Sequence, residues 1–479
     1  MGKSPRLSDY MVGPKHSCGV VGMSAENNVV PAIQKSLMII QHRGQESAGI
    51  SVYNSEGSID TVKDSGLVQN ALPKHMLGKL HGTIGIGHVR YPNAGRVSRS
   101  YAEPLMSTTR YGPLAIAHNG DITNFDELKE KYLFTGSSFF TNSDSELVTK
   151  ILGKHSAQFE DPVKAIKATC AELDGAFSLV ILMGDRLFGI RDPRGMKPLC
   201  IGKIRDGYMI VSESAAIDAL NGELIRDVMP GEIVEITHNE VKSYPYNLDA
   251  PKAHCMFEWV YFARPDSVSD GKEVYDVRRR IGEVLARESP ADVDLIMPIP
   301  DSGRAHAIGF SVESRIPYEE GFMKNRFAER TFILPDQRQR EVAVSTKMNP
   351  IKSTVNGKRI LIVDDSIVRG TTLKKLISML RDAGAKEVHV RVGCPPIVAP
   401  CYYGVDMKTR EQIIGAEHSV EEIRKIINAD SLAYISIPGL VKAIDLPEKD
   451  LCLACLSGKY PTTIPGEVHR YQSTLEEEY

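Results

Sequence analysis

Apolar positions in the first half of the chain fall in short stretches bounded by turn residues. GTIGIGHVRY (82–91), GPLAIAHNGDI (112–122) and FSLVILMGDRLFGI (177–190) read as strands, with Asp185-Arg186 as a hairpin turn. SDSELVTKILGKH (143–155) reads as a helix, and Ser143 with Glu146 three residues on predicts a capping box. Downstream the pattern changes to strand–loop–helix units. ADVDLIMPIP (291–300) runs into DSGRAHAIGF, and KRILIVDD (358–365) into SIVRGTTLKKLISMLRDAGA. In the second unit Leu373, Leu376, Ile377 and Leu380 are spaced i, i+3, i+4, i+7, one apolar helix face, with Gly384 placed as a C-cap glycine. The polar segment His238–His254, with Pro245 and Pro251, reads as a linker. The pattern predicts a mainly antiparallel α+β half, then an α/β half whose mostly parallel sheet binds ligands beyond the carboxyl ends of its strands.

Composition narrows the functional classes. The 479 residues carry 58 basic and 61 acidic side chains, a net charge of −3. That balance argues against a nucleic-acid or membrane-surface partner, since phosphate backbones are bound by surplus Lys and Arg. No apolar run approaches the roughly 18 residues needed to span a bilayer, and the N-terminus lacks the apolar core of a secretory signal. The chain therefore reads as cytoplasmic, with residues 1–17 a leader.

VDDSIVRGTT (363–372) carries the first chemistry. Asp364 and Asp365 end an apolar strand, where adjacent carboxylates are costly unless hydrated, paired or hydrogen-bonded. Ser366, Arg369, Gly370, Thr371 and Thr372 follow directly before a helix, whose N–H groups, hydroxyls and positive end suit a phosphate. An acidic strand end beside a capped helix explains either half alone; their junction is more specific. The segment resembles the signature of type I phosphoribosyltransferases, in which the acidic pair holds the ribose and the loop its 5′-phosphate. That resemblance implies a pyrophosphate loop at Asp301, Ser302 and Gly303. It also implies a lid over 324–347, with Lys324, Arg326 and Lys347 available to the diphosphate. One Mg²⁺ per subunit is expected at Ser302, Asp364 and Asp365, because it binds hard oxygen ligands and substrate phosphates together.

The second chemistry centres on Cys18. With residues 1–17 removed its own α-amine, with an unperturbed pKa near ~8, can serve as general base for the thiol. QHRGQESAGI (41–50), GHVRYPNAG (87–95), AHNGDITN (117–124) and TNSDSE (141–146) follow in order. Together they resemble the class II glutamine amidotransferases, which use an N-terminal nucleophile. The resemblance implies that Arg90 pairs with the glutamine carboxylate, Asp144 accepts from its α-amine, and Arg43 and Gly44 line the pocket. Asn119 and the Gly120 N–H would form the oxyanion hole. His42, His88 and His118 are read as strand or loop histidines satisfied by nearby polar atoms. Asn93 stands where the family commonly has Thr.

The order of the two signatures resembles the glutamine-dependent amidotransferases that open de novo purine synthesis. It implies an αββα N-terminal-nucleophile domain over 18–250 and an α/β phosphoribosyltransferase domain over 251–479. It implies glutamine and phosphoribosyl pyrophosphate as substrates, ammonia channelled between the sites, a homo-oligomer (dimer or tetramer) and purine-nucleotide inhibitors. Cys452 and Cys455 form a CxxC, and the ligand pattern of cluster-bearing members matches Cys255, Cys401, Cys452 and Cys455. One 4Fe–4S cluster per subunit is expected, with zinc the alternative. Cys394 competes with Cys401 for a ligand place, while Cys170 and Cys200 read as buried thiols. VDDSIVRGTT argues against an amidotransferase making glucosamine phosphate. The glutaminase motifs, with no basic patch or helix-turn-helix, argue against a phosphoribosyl-pyrophosphate-sensing regulator.

Overall fold

The computed structural model describes residues 18–91, 99–325, 348–407 and 409–464. Asn93, Arg326 and Lys347 lie outside them, as do residues 1–17.

The first half stacks two antiparallel sheets between helices. One has seven strands, in the order Glu223–Asp227, Cys200–Ile204, Gly207–Val211, Gly19–Ala25, Ile84–Arg90, Ser47–Tyr53 and Ile59–Ser65. The other has six: Val241–Pro245, Glu232–Ile236, Arg186–Arg191, Gly175–Met183, Gly112–Ile122 and Leu105–Thr109. Val20, Ile86, Ala117, Val180 and Ile210 fill the space between the sheets. The helix Val30–Ile39 covers the outer face of the first, and Asp144–Gln158 and Pro162–Glu172 that of the second. This is the expected αββα sandwich. With both faces covered, Gly19–Ala25 is buried at every position, so the strand shows no polar alternation.

Two local expectations are corrected. Residues 241–245 are not linker: they pair antiparallel with Glu232–Ile236 as an edge strand. Its side chains are exposed or half-buried, which is why the apolar alternation of a strand is missing. The capping box at 143–146 does not close. Ser143 caps its helix by accepting from the Ser145 amide at 3.3 Å, but the Glu146 carboxylate turns back to the Phe140 and Thr141 amides at 2.9 and 2.7 Å.

The second half holds a parallel sheet in the order Leu295–Pro298, Arg359–Asp364, Glu387–Val392, Ser431–Tyr434. Between its charged ends the strand Arg359–Asp364 is an unbroken apolar run, Ile360 to Val363, because its two faces serve two cores. Leu361 and Val363 pack with the helices Val274–Glu288 and Arg304–Ser314, and Ile360 and Ile362 with Thr371–Asp382 and Val420–Ile427. The apolar face at 373–380 is buried as expected, and Gly384 follows the helix at φ +97°. A short parallel pairing sets Cys255 opposite Cys452, tying the start of this half to its C-terminal segment.

Candidate active site

Cys18 stands at the head of the strand Gly19–Ala25, buried, with the Tyr91 amide 3.4 Å from its Sγ. Gly44 packs so closely on this region that a Cβ would lie 2.5 Å from the Val89 carbonyl oxygen; only glycine fits. Strand Gly112–Ile122 crosses the strand Ile84–Arg90, fixed by a 3.0 Å contact between His88 Nε2 and the His118 carbonyl. The next residue, Asn119, is fully buried, and neither its amide nitrogen nor its oxygen has a partner among the described residues. An unpartnered buried amide is costly. It suits a group reserved for a developing oxyanion. Gly120 adopts φ +151°, and a Cβ there would meet the Ala176 carbonyl oxygen at 1.8 Å.

The three histidines divide. His42 Nε2 lies 2.7 Å from Glu213 and His88 Nε2 is held as above, though the Nδ1 of each is buried without a partner among the described residues. Burial is the largest single influence on His88 and lowers its pKa, but the Glu103 charge, the Cys18 thiol and the His118 carbonyl together outweigh it and raise it. His118 corrects the expectation: its Nε2 is buried without a partner among the described residues, and burial holds it neutral, with a pKa of about 4.

The glutamine-binding set is already engaged within the chain. Arg90 Nη1 donates to Glu46 at 3.0 Å, and its guanidinium lies 5.2 Å from the Tyr101 ring centre. Asp144 Oδ2 accepts from the Ile122 amide at 3.3 Å. Arg43 is fully buried and donates to Glu213, to Glu258 and to the Cys18 carbonyl. Its guanidinium is committed to these partners and holds the Cys18 main chain.

In the second half, Asp364 and Asp365 end their strand side by side, both buried. Asp364 accepts from the Asp365 amide at 3.0 Å, and Asp365 from the Ser366 hydroxyl at 2.6 Å and from Ser302. Burial pushes both carboxyls upward, Asp364 farther because Asp365 repels it. Two buried carboxylates beside the Ser302 hydroxyl form a hard-oxygen set short of positive charge, which is what Mg²⁺ requires. Gly370 takes φ +72° to open the helix Thr371–Asp382, so the loop 366–370 delivers that helix N-terminus beside the acidic pair. Gly303 approaches the Val363 carbonyl oxygen too closely for any Cβ. Lys324 is paired with Asp301 at 2.6 Å, and Asp301 also with Arg304.

Cys255, Cys401, Cys452 and Cys455 line one apolar cavity, together with Met196 and Lys197 of the first half. Burial, reinforced by their mutual repulsion and opposed by Lys197, raises the thiols, Cys255 to about 12. Cys394 is buried nearby but does not line the cavity, which favours Cys401 in the set. Among the described residues no three His, Cys, Asp or Glu side chains are gathered as round a single metal ion. Four thiols lining one cavity fit the donor set of either a four-iron cluster or a zinc ion.

A glutamine amidotransferase domain family matches residues 95–219, and a phosphoribosyl transferase domain family residues 321–403. The amidophosphoribosyltransferase of Methanocaldococcus jannaschii is 47% identical over 467 residues, covering 94% of this chain and 98% of the relative. That of Methanothermobacter thermautotrophicus is 46% identical over 465 residues, covering 96% and 97%. The chain belongs to the amidophosphoribosyltransferase family. As a member of that family it is an enzyme of purine biosynthesis, a pentosyltransferase with a glutamine amidotransferase domain. Among solved structures, glutamine phosphoribosylpyrophosphate amidotransferase from B. subtilis, complexed with ADP and GMP, superposes with a TM-score of 0.88 at 39% identity, covering 94% of this chain and 98% of that one. The allosteric regulatory enzyme of purine biosynthesis superposes at 0.89 with 40% identity, covering 94% and 97%.

Sequence reasoning missed the charges that join the two halves of the chain: Lys197, Glu213, Glu258 and Arg278, all buried. Only Glu258 carried a signal, as a lone carboxylate inside the apolar run CMFEWVYF.

Proposed function

We propose that this chain makes 5-phosphoribosylamine from glutamine, water and phosphoribosyl pyrophosphate, releasing glutamate and pyrophosphate. The observation that carries the reading is the pairing, in one chain, of a buried nucleophile beside an unpartnered Asn119 with an acidic pair at a helix-opening phosphate loop. Removal of residues 1–17 frees the Cys18 α-amine, which takes the thiol proton. Cys18 Sγ attacks the glutamine amide carbon, and the oxyanion is stabilised by Asn119 and the Gly120 N–H. Collapse expels ammonia, and water then hydrolyses the thioester to glutamate. The ammonia lone pair attacks C1, the C1–O bond to pyrophosphate breaks, and the configuration at C1 inverts. Arg90 and Asp144 fix the glutamine ends, with the substrate carboxylate displacing Glu46 from Arg90.

Mg²⁺ would be held by Asp364, Asp365 and Ser302, where it neutralises diphosphate charge. Cys255, Cys401, Cys452 and Cys455 would hold a 4Fe–4S cluster, which would staple the start of the second half to its C-terminal segment. The B. subtilis relative complexed with ADP and GMP supports inhibition by purine nucleotides. A homo-oligomer is part of the same reading.

The test is pyrophosphate release from phosphoribosyl pyrophosphate with either glutamine or ammonium as nitrogen donor. Cys18→Ala should abolish the first and spare the second. Loss of both, or of neither, contradicts the assignment.

A further inference from the structure

Glu103 stands outside the motifs quoted above, yet it is buried and both of its carboxylate oxygens are engaged. Oε2 accepts from the His118 amide at 2.8 Å and lies 3.6 Å from His88 Nε2, while Oε1 accepts from the Ser145 hydroxyl at 2.6 Å. Burying a carboxylate is costly unless donors surround it, and these partners are donors.

Each partner is a near neighbour in the chain of a residue assigned to glutamine. His118 precedes Asn119 on the strand Gly112–Ile122, and Ser145 follows Asp144 in the first turn of the helix Asp144–Gln158. His88 stands two positions before Arg90 on the strand Ile84–Arg90, so the two side chains share a face. One side chain therefore links the three elements that carry the oxyanion donor and the groups for the two ends of the substrate. The main chain that delivers it is itself pinned. Lys63 Nζ donates to the Ala102 carbonyl at 2.6 Å and to the Pro104 carbonyl at 3.0 Å, one on each side of Glu103. Gly49 lets the strand Ser47–Tyr53 come close, since a Cβ there would lie 2.2 Å from the Glu103 carbonyl oxygen.

We propose that Glu103 is a positioning residue of the glutaminase site: it fixes Asn119 relative to Arg90 and Asp144. Glutamine held by its ends then presents its amide carbon to Cys18 Sγ with the developing oxyanion aimed at Asn119. This rests on the reading proposed above. Without Glu103 the His118 amide and the Ser145 hydroxyl lose their acceptor, and the three elements relax to satisfy them elsewhere. A misplacement of about 1 Å at a reacting centre costs roughly 10² in rate.

The experiment measures kcat and KM for glutamate release from glutamine, ammonium-dependent pyrophosphate release and Tm, in processed wild type, Glu103→Ala, Glu103→Gln and Ser145→Ala. Wild type that releases no glutamate would overturn the proposed function itself. With release present, Glu103→Ala should lower kcat/KM for glutamine roughly 10²-fold and leave ammonium-dependent turnover unchanged. Glu103→Gln should restore most of the loss. Its carboxamide oxygen accepts from the His118 amide and its NH2 donates to the Ser145 oxygen, keeping the spacing without the charge. Ser145→Ala removes only the link to the helix of Asp144, so the KM for glutamine should rise several-fold with kcat nearly unchanged. That variant decides the matter if Glu103→Ala does not fold, and an unaltered KM in it then overturns the inference. In folded Glu103→Ala, a wild-type kcat/KM, an equal fall in both activities, or no recovery in Glu103→Gln overturns it.

Discussion

Asn119 and His306 show how much a buried position decides. Asn119 holds two unpartnered polar atoms where the oxyanion is assigned. Asn119→Ala should cut glutamine-dependent kcat by roughly 10²–10³, the usual loss for one oxyanion donor. Ammonium-dependent pyrophosphate release should be unchanged; a parallel fall in both would contradict the role. His306 is fully buried, with Nε2 unpartnered among the described residues, and burial lowers its pKa to about 3. Unfolded, it titrates near 6.5. Between those values the unfolded chain binds the extra proton, so this contribution to stability is fully present above 6.5 and lost as pH falls toward 3. Denaturant unfolding at pH 7 and pH 4 should show wild type losing about 3 kcal/mol more than His306→Gln. An equal loss in both would contradict the neutral assignment. Such residues are half legible. AHNGDITN named Asn119 through its motif, but no sequence pattern distinguishes a partnered histidine from His118, because partners come from other strands.

Gly370 joins loop to helix. Its φ of +72° lets the phosphate loop turn into Thr371–Asp382, and the nearest atom to a Cβ there, the Ile414 methyl, would be at 3.0 Å. Gly370→Ala should therefore strain the loop by about 1 kcal/mol. The KM for phosphoribosyl pyrophosphate should rise several-fold, with glutamate release in its absence unaltered. An unchanged KM would contradict a phosphate-loop role. At this scale the sequence was most informative where both faces of an element were committed. VDDSIVRGTT and the apolar face 373–380 were readable because a buried parallel strand leaves a continuous apolar run. Edge strand 241–245 was not, since it packs on one side only. The open capping box failed for a related reason: Glu146 found loop amides that spacing alone could not reveal.

At the scale of the molecule, the two halves meet through charge and through the cysteine cavity. Lys197 of the first half lines that cavity, and Gly404, from the loop after Cys401, packs against Gly120 of the oxyanion strand. Cys452→Ser should yield protein with little iron, no visible charge-transfer absorption and a lowered Tm; a variant with wild-type iron, absorption and Tm would contradict the cluster set. Both signatures were legible as local motifs, whereas their junction was not, because Glu213, Glu258 and Arg278 are isolated charges until the fold assembles them. The central claim is that one chain carries two sites and that they are coupled. Glutamate release from glutamine by processed protein, with Cys18 as its N-terminal residue, tests it most directly when measured with and without phosphoribosyl pyrophosphate and Mg²⁺. The account predicts slow release alone and strong stimulation by the phosphoribosyl substrate. Release that is absent under both conditions, or indifferent to that substrate, would contradict it.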